Sequence, residues 1–177
     1  MKRTFVKFLL LLCCGFVLGF SGDSVPDFKL PDLDNKPVQL KSLLKNGPVL
    51  IDFWATWCKP CVKYFPVLQG WHEKYGASGL TIVAINEDGP RSLAKVKPFT
   101  RSLKAGFMVL IDENSEVMRL LRVQNLPTSL LIAQDGSIVA RHTGYTEEIT
   151  KATEAKIVEL LAKVNESGIE KDLRQND

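Results

Sequence analysis

The chain has 177 residues, 45% of them hydrophobic, with 12 glycines and 9 prolines, enough for one globular domain with a real core. Its 23 basic and 20 acidic side chains leave a net charge of +3 and are scattered along the sequence, so no basic face and no nucleic-acid partner are expected. Nothing repeats at a period of about 20 to 50 residues, which excludes solenoid architectures.

The chain opens on a leader. Lys2, Arg3 and Lys7 precede an uncharged run over 8–22, and Gly19 and Ser21 supply small residues at the minus-three and minus-one positions of a cut after Ser21. Residues 1–21 therefore read as a signal peptide and predict export. An uncleaved membrane anchor is the second reading, against which the run falls short of the ~20 residues of a usual spanning helix. Lipidation at Cys13 or Cys14 is the third, with Leu12 a bulky residue to precede a lipoprotein cysteine.

Residues 25–165 form the predicted domain. Pro26-Asp27-Phe28-Lys29-Leu30 and Pro37-Val38-Gln39-Leu40 flank the turn-rich Asp34-Asn35-Lys36 and predict a hairpin. A buried central strand over 49–54 follows, and directly after it comes Trp57-Cys58-Lys59-Pro60-Cys61. Two thiols separated by two residues, where a strand hands over to a helix, can close a disulfide across one helical turn and reopen it without refolding the domain. Cys58 at the helix start meets unpaired amide N–H groups and the positive end of the helix dipole, which lower its pKa into the range ~3.5 to 7.5. Pro60 suits the first turn, where its missing N–H would be unbonded in any case. Cys58 is thus the attacking thiolate and Cys61 the resolving thiol. A zinc site lacks ligands, since His72 and His142 are the only histidines, and a structural disulfide closing so small a loop would stabilise little.

The helix is expected from Cys58 to about Tyr75 with a kink near Pro66, and a second apolar strand over 80–85. Continuous apolar strands alternating with helices argue for a sheet covered on both faces, an α/β architecture. Leu93, Val96, Phe99 or Thr100, and Leu103 recur at helical spacing around Pro98, a kink or break. A strand over 107–111 and a short helix over 117–123 follow. Two more strands, over 129–133 and 138–143, meet at the hairpin signal Asp135-Gly136. An amphipathic helix from Glu147 to about Asn165 closes the domain, and 166–177 reads as a polar, frayed tail.

Asp52 is the anomaly of the central strand, because a carboxylate among apolar residues is costly unless neutral, hydrated or functional. Lys59, and Lys63 one turn on, put positive charge near Cys58, as redox tuning or as solvated surface charge. Trp54 and Trp57 are expected to wall the dithiol, Trp54 as part of the core packing as well. His72 and His142 carry no ligand spacing and read as packing or surface residues.

The run from Asp52 to Cys61, followed by Phe65-Pro66 and much later by Leu126-Pro127-Thr128, resembles the thioredoxin superfamily, and within it the exported TlpA/ResA group of thiol-disulfide oxidoreductases. The resemblance implies a thioredoxin fold, a central mixed sheet flanked by helices, with the N-terminal β-hairpin in front and the extra strand and helix as a central βα insertion. It implies that Pro127 is a cis proline facing the dithiol. Leu126 would then offer its backbone to an extended substrate strand beside Cys58, with Trp57 and Thr128 at the same substrate-binding surface. Asp52 matches thioredoxin's buried aspartate, which relays protons to the resolving cysteine. Tyr64 departs from the group, many members of which carry glutamate there and asparagine at the position of Asp52, so this chain places its acid on the strand.

The activity implied is reduction of disulfides in exported proteins, including apocytochrome c, by a Cys58-Cys61 dithiol supplied with electrons by a membrane thiol donor, with no cofactor and no metal. The expected location is the periplasm or another extracytoplasmic space, where, once the leader is removed, Cys58 and Cys61 are the only cysteines left. Two alternatives stand beside it: a thioredoxin-like copper chaperone, whose relatives space their cysteines more widely and add a histidine, and a peroxiredoxin-like peroxidase, whose N-termini Pro26-Asp27-Phe28 resembles.

Overall fold

The computed structural model describes residues 24–175, with side chains as far as Val164. The leader expected over 1–21, with Cys13 and Cys14, lies outside the described residues.

Asp32 starts the fold by turning the chain. Its carboxylate accepts the N–H groups of Asp34 and Lys36, both at 2.8 Å, and Asn35 takes a φ of 61°, which its short polar side chain tolerates. The turn joins β1 (Lys29–Pro31) to β2 (Pro37–Gln39) as a separate antiparallel pair, and α1 (Leu40–Leu43) follows at once.

The remaining strands form one five-stranded sheet. In chain order its parts are β3 (Val49–Trp54), α2 (Lys59–Tyr75), β4 (Thr81–Asn86), α3 (Leu93–Ser102), β5 (Met108–Ile111), α4 (Glu116–Leu120), β6 (Thr128–Ile132), β7 (Ile138–Thr143) and α5 (Glu147–Gln175). The spatial order is β5-β4-β3-β6-β7, with β3, β4 and β5 parallel and β6 and β7 antiparallel to their neighbours. Every residue of β3 is buried, Asp52 included, as a central strand covered on both faces requires. Alternation then sorts side chains between two cores. Leu50 and Trp54 face α2, α3 and α5 through Cys61, Tyr64, Leu68, Val96 and Ile157, while Ile51 and Phe53 face the hairpin, α1 and α4 through Leu30, Leu40 and Val117. This is the mixed sheet with a separate hairpin that the sequence predicts.

α2 runs through Pro66 to Tyr75, the extent expected, and α3 runs through Pro98 without a break, each proline forgoing one N–H bond. One detail differs. α5 continues past 165 to Gln175, through the segment read as a frayed tail: six of the ten residues over 166–175 are Glu, Lys, Leu, Arg or Gln, good helix formers, with Gly168 the weakest position. Among the described residues no helix is long and apolar enough to cross a membrane.

Candidate active site

β3 ends at Trp54, and the chain reverses through 55–57 before α2 begins. Cys58 caps that helix. Its backbone is extended (φ −83°, ψ 92°), its N–H donates to the Ala55 carbonyl at 3.0 Å, and its Sγ accepts the Cys61 N–H at 3.3 Å. A sulfur in this position receives one of the amides that a helix start leaves unpaired, the arrangement that stabilises a thiolate when the bond to Cys61 is open. Pro60 sits in the first turn. Cys58 and Cys61 are joined as a disulfide, with Cα atoms 5.3 Å apart. Cys58 is 5% exposed and Cys61 0%, so an incoming disulfide meets Cys58 first, by a narrow margin.

The two tryptophans part company. Trp54 is core, edge-on to Phe65 with ring centroids 4.6 Å apart and stacked on Phe99 at 6.2 Å, whereas Trp57, past the end of the strand, stands 68% exposed. The expected wall around the dithiol is therefore one buried ring and one projecting ring. Lys59, Pro60 and Lys63 are exposed beside them.

The turn before Cys58 is held from a distance. Asp88, fully buried just past β4, accepts the Thr56 N–H at 2.7 Å, the Thr56 hydroxyl at 2.6 Å and the Asn86 amide at 2.8 Å. Three donors on one buried carboxylate fix the loop that aims Cys58. Next to it, Glu87 is buried with neither carboxyl oxygen in a hydrogen bond, and burial, reinforced by the neighbouring Asp112, pushes its pKa up to about 8 against the opposing pull of Ser115. Sequence reasoning missed this trio; the only signal was three polar residues closing an apolar strand.

Asp52 lies on β3, the strand that leads into the Cys58 turn. It is fully buried, on the face of β3 that carries Leu50 and Trp54 and therefore toward the layer that holds Cys61 and Tyr64. Oδ1 accepts the Ser129 hydroxyl at 2.8 Å, and Oδ2 has no partner. Burial pushes its pKa up to about 8, and the Ser129 bond pulls the other way. Tyr64 is also buried, its hydroxyl in no hydrogen bond, its ring 5.0 Å from Tyr145 and 5.9 Å from Trp71. Burial first and the Asp52 charge second push its pKa well above the usual phenol range.

The Leu126–Pro127 peptide bond is cis. Thr128, the first residue of β6, pairs with Phe53, so Pro127 lies at the end of the sheet where β3 gives way to the Cys58 turn. The Pro127 carbonyl accepts the Gly144 N–H at 2.8 Å, and the Thr128 hydroxyl is turned inward, donating to the Asn125 carbonyl at 2.7 Å. The fold thus gathers Cys58, Cys61, Asp52 and Pro127 at one end of the sheet. His72 lies far along α2 with its ring 6.4 Å from Phe107, and His142 sits on β7 opposite Ser129. Among the described residues no group of three or more His, Cys, Asp or Glu could hold a metal ion.

The sequence matches the AhpC/TSA family over residues 21–141. It is 36% identical over 151 residues to the thiol-disulfide oxidoreductase ResA of Bacillus cereus, covering 78% of this chain and 86% of that protein. Against ResA of Bacillus subtilis the identity is 32% over 161 residues, covering 83% and 88%. Among solved structures, a Chlorobium tepidum protein assigned as the thiol:disulfide interchange protein DsbE superposes with a TM-score of 0.73 at 34% identity, over 79% of this chain and 96% of that one. With a redox-competent cysteine pair capping α2, the chain belongs to the AhpC/TSA family and, within it, to the thiol-disulfide oxidoreductases of ResA type.

Proposed function

We propose that the protein works outside the cytoplasm as a reductase of disulfides in exported proteins, cytochrome c maturation among its tasks. The observation that carries this reading is the cysteine pair itself, with Cys58 at the rim of the helix N-terminus and Cys61 fully buried in the layer that Asp52 faces. An extended substrate segment lies along Leu126, Pro127 and the Thr128 backbone, against the exposed Trp57 ring, with Lys59 and Pro60 tuning the potential. The Cys58 thiolate attacks one sulfur of the substrate disulfide; that bond breaks, a mixed disulfide forms, and one substrate thiolate leaves. Ionised Asp52 takes the Cys61 proton, and the Cys61 thiolate attacks Cys58 Sγ, breaking the mixed bond and releasing the second substrate thiolate. Two electrons have passed to the substrate, and Cys58-Cys61 is oxidised. A membrane thiol donor returns the electrons by the same exchange in reverse. The 1–21 pattern and the resemblance to an exported group support the location, by a cleaved leader or a retained anchor.

The test separates the two thiols. Cys61→Ser incubated with disulfide-bonded protein substrates accumulates mixed disulfides through Cys58, and Cys58→Ser accumulates none, because only the thiolate at the helix cap attacks efficiently. Equal trapping by both variants overturns the assignment, and turnover of peroxide in place of disulfides makes the chain a peroxidase.

A further inference from the structure

We propose that Ser129 is a positioning residue of the dithiol exchange, its hydroxyl favouring the charged form of Asp52 and holding the carboxylate in place to receive the Cys61 proton. This rests on the role given to Asp52 above.

Ser129 is a polar residue in a strand whose five positions are all buried, where a hydroxyl without a partner is costly. Its partner is fixed by the sheet. Ser129 stands directly across from Asp52 in the β3–β6 register, so both backbones are pinned by the same ladder and Oγ is presented to Oδ1 at 2.8 Å without any loop having to order. No other donor in the described residues reaches the carboxylate, and Oδ2 is bare. The one hydrogen bond that favours the charged form of this acid therefore comes from Ser129.

The other groups on this face supply no substitute. α2 contributes Cys61 and Tyr64, the latter backed by Tyr145, and its hydroxyl makes no hydrogen bond. β4 offers Ala84 opposite Asp52, and α5 contributes the apolar Ile157, Leu160 and Leu161. β7 places His142 across from Ser129, the next position in the same row. His142 is thus the only other titratable group aligned with Asp52 and Ser129 across the sheet.

Removing the hydroxyl deprives Asp52 of its one donor and leaves the buried, unbonded Tyr64 hydroxyl as the polar group beside it, so its ionisation moves to higher pH. The resolving step follows. Its proton balance is unchanged, from Cys61 Sγ–H to Asp52 and onward to solvent, but less of the enzyme holds the base in its charged form. A single hydrogen bond to a charged group corresponds to about one pH unit, or about tenfold in rate below the midpoint.

The experiment uses the full chain, reduced, and Ellman's disulfide as the probe. Cys58 releases the first thionitrobenzoate and Cys61 the second, so attack and resolution are read as two phases. Expected are a second phase whose pH midpoint rises by about one unit in Ser129→Ala, a return to the wild-type midpoint in Ser129→Thr, and a first phase unchanged in both. His142→Gln keeps the wild-type midpoint. If Ser129→Ala loses thermal stability and keeps the midpoint, the hydroxyl is merely structural and the proposal falls. If Asp52→Asn slows the second phase and flattens its pH profile while Ser129→Ala matches wild type, the proposal falls and the role of Asp52 stands. A wild-type second phase in Asp52→Asn removes both. A displaced midpoint in His142→Gln equal to that of Ser129→Ala transfers the effect to the histidine and overturns the proposal.

Discussion

Replacing Asp52 by asparagine should stabilise the protein at neutral and higher pH and do nothing for it in acid. Burial moves the carboxyl from 3.8 to about 8, so the folded state binds a proton that the unfolded chain lacks throughout that window. Stability attributable to this group is therefore fully present below about pH 4 and lost as pH rises toward about 8, with no further loss beyond. Each unit corresponds to ~1.4 kcal/mol, so the three units between the unfolded value and pH 7 amount to about 4 kcal/mol. Asparagine keeps the shape and can accept the Ser129 hydroxyl, but it sets an amide N–H where Oδ2 has no partner, which costs ~1–3 kcal/mol. The net gain is about 1–3 kcal/mol at pH 7, somewhat more at pH 8, and none at pH 5. Glu87, raised to about 8 in the same direction, is common to both proteins and cancels in the difference. Urea unfolding of wild type and Asp52→Asn at pH 5 and pH 8, both oxidised, reads the effect. A gain of equal size at the two pH values, or a less stable variant at pH 8, would show that Asp52 is not the buried, proton-holding acid described.

Asp88→Asn weakens the brace on the turn before Cys58, because one amide cannot accept all three of the donors that meet the carboxylate; denaturant melts should show a loss of ~2–4 kcal/mol. Tyr64→Phe removes a buried hydroxyl that has no hydrogen bond, so stability should hold or rise by up to ~1 kcal/mol and stopped-flow resolution of the mixed disulfide should stay within about twofold of wild type. Mass spectrometry of the protein from its native envelope should find a chain beginning near Gly22, whereas an intact Met1 in the membrane fraction would make the leader an anchor.

The parts of this molecule that follow from local chemistry were legible in the sequence. β3, the dithiol at the start of α2, the Asp34-Asn35-Lys36 turn and the Asp135-Gly136 hairpin each announce themselves within a few residues, and the burial of Asp52 follows from the apolar run around it. What stayed hidden depends on pairing across long stretches of chain. Ser129 reads as an ordinary strand serine until the β3–β6 register sets it against Asp52, 77 residues away. Asp88 reads as loop until the parallel β3–β4 pairing brings it over Thr56. Trp54 reads as core from the strand around it, but only the end of β3 decides that Trp57 stands out into solvent. The extent of α5 differs from the expected one because charge and polarity, which describe a tail, describe a helix equally well.

The reduction potential of the Cys58-Cys61 pair sets the direction of electron flow. Equilibration of the full chain with glutathione or dithiothreitol buffers, read by alkylation and mass, should give a value near thioredoxin's, about −270 mV, as a reductase of exported disulfides requires. A value near that of the oxidant DsbA, about −120 mV, would make the protein a donor of disulfides and contradict the function proposed.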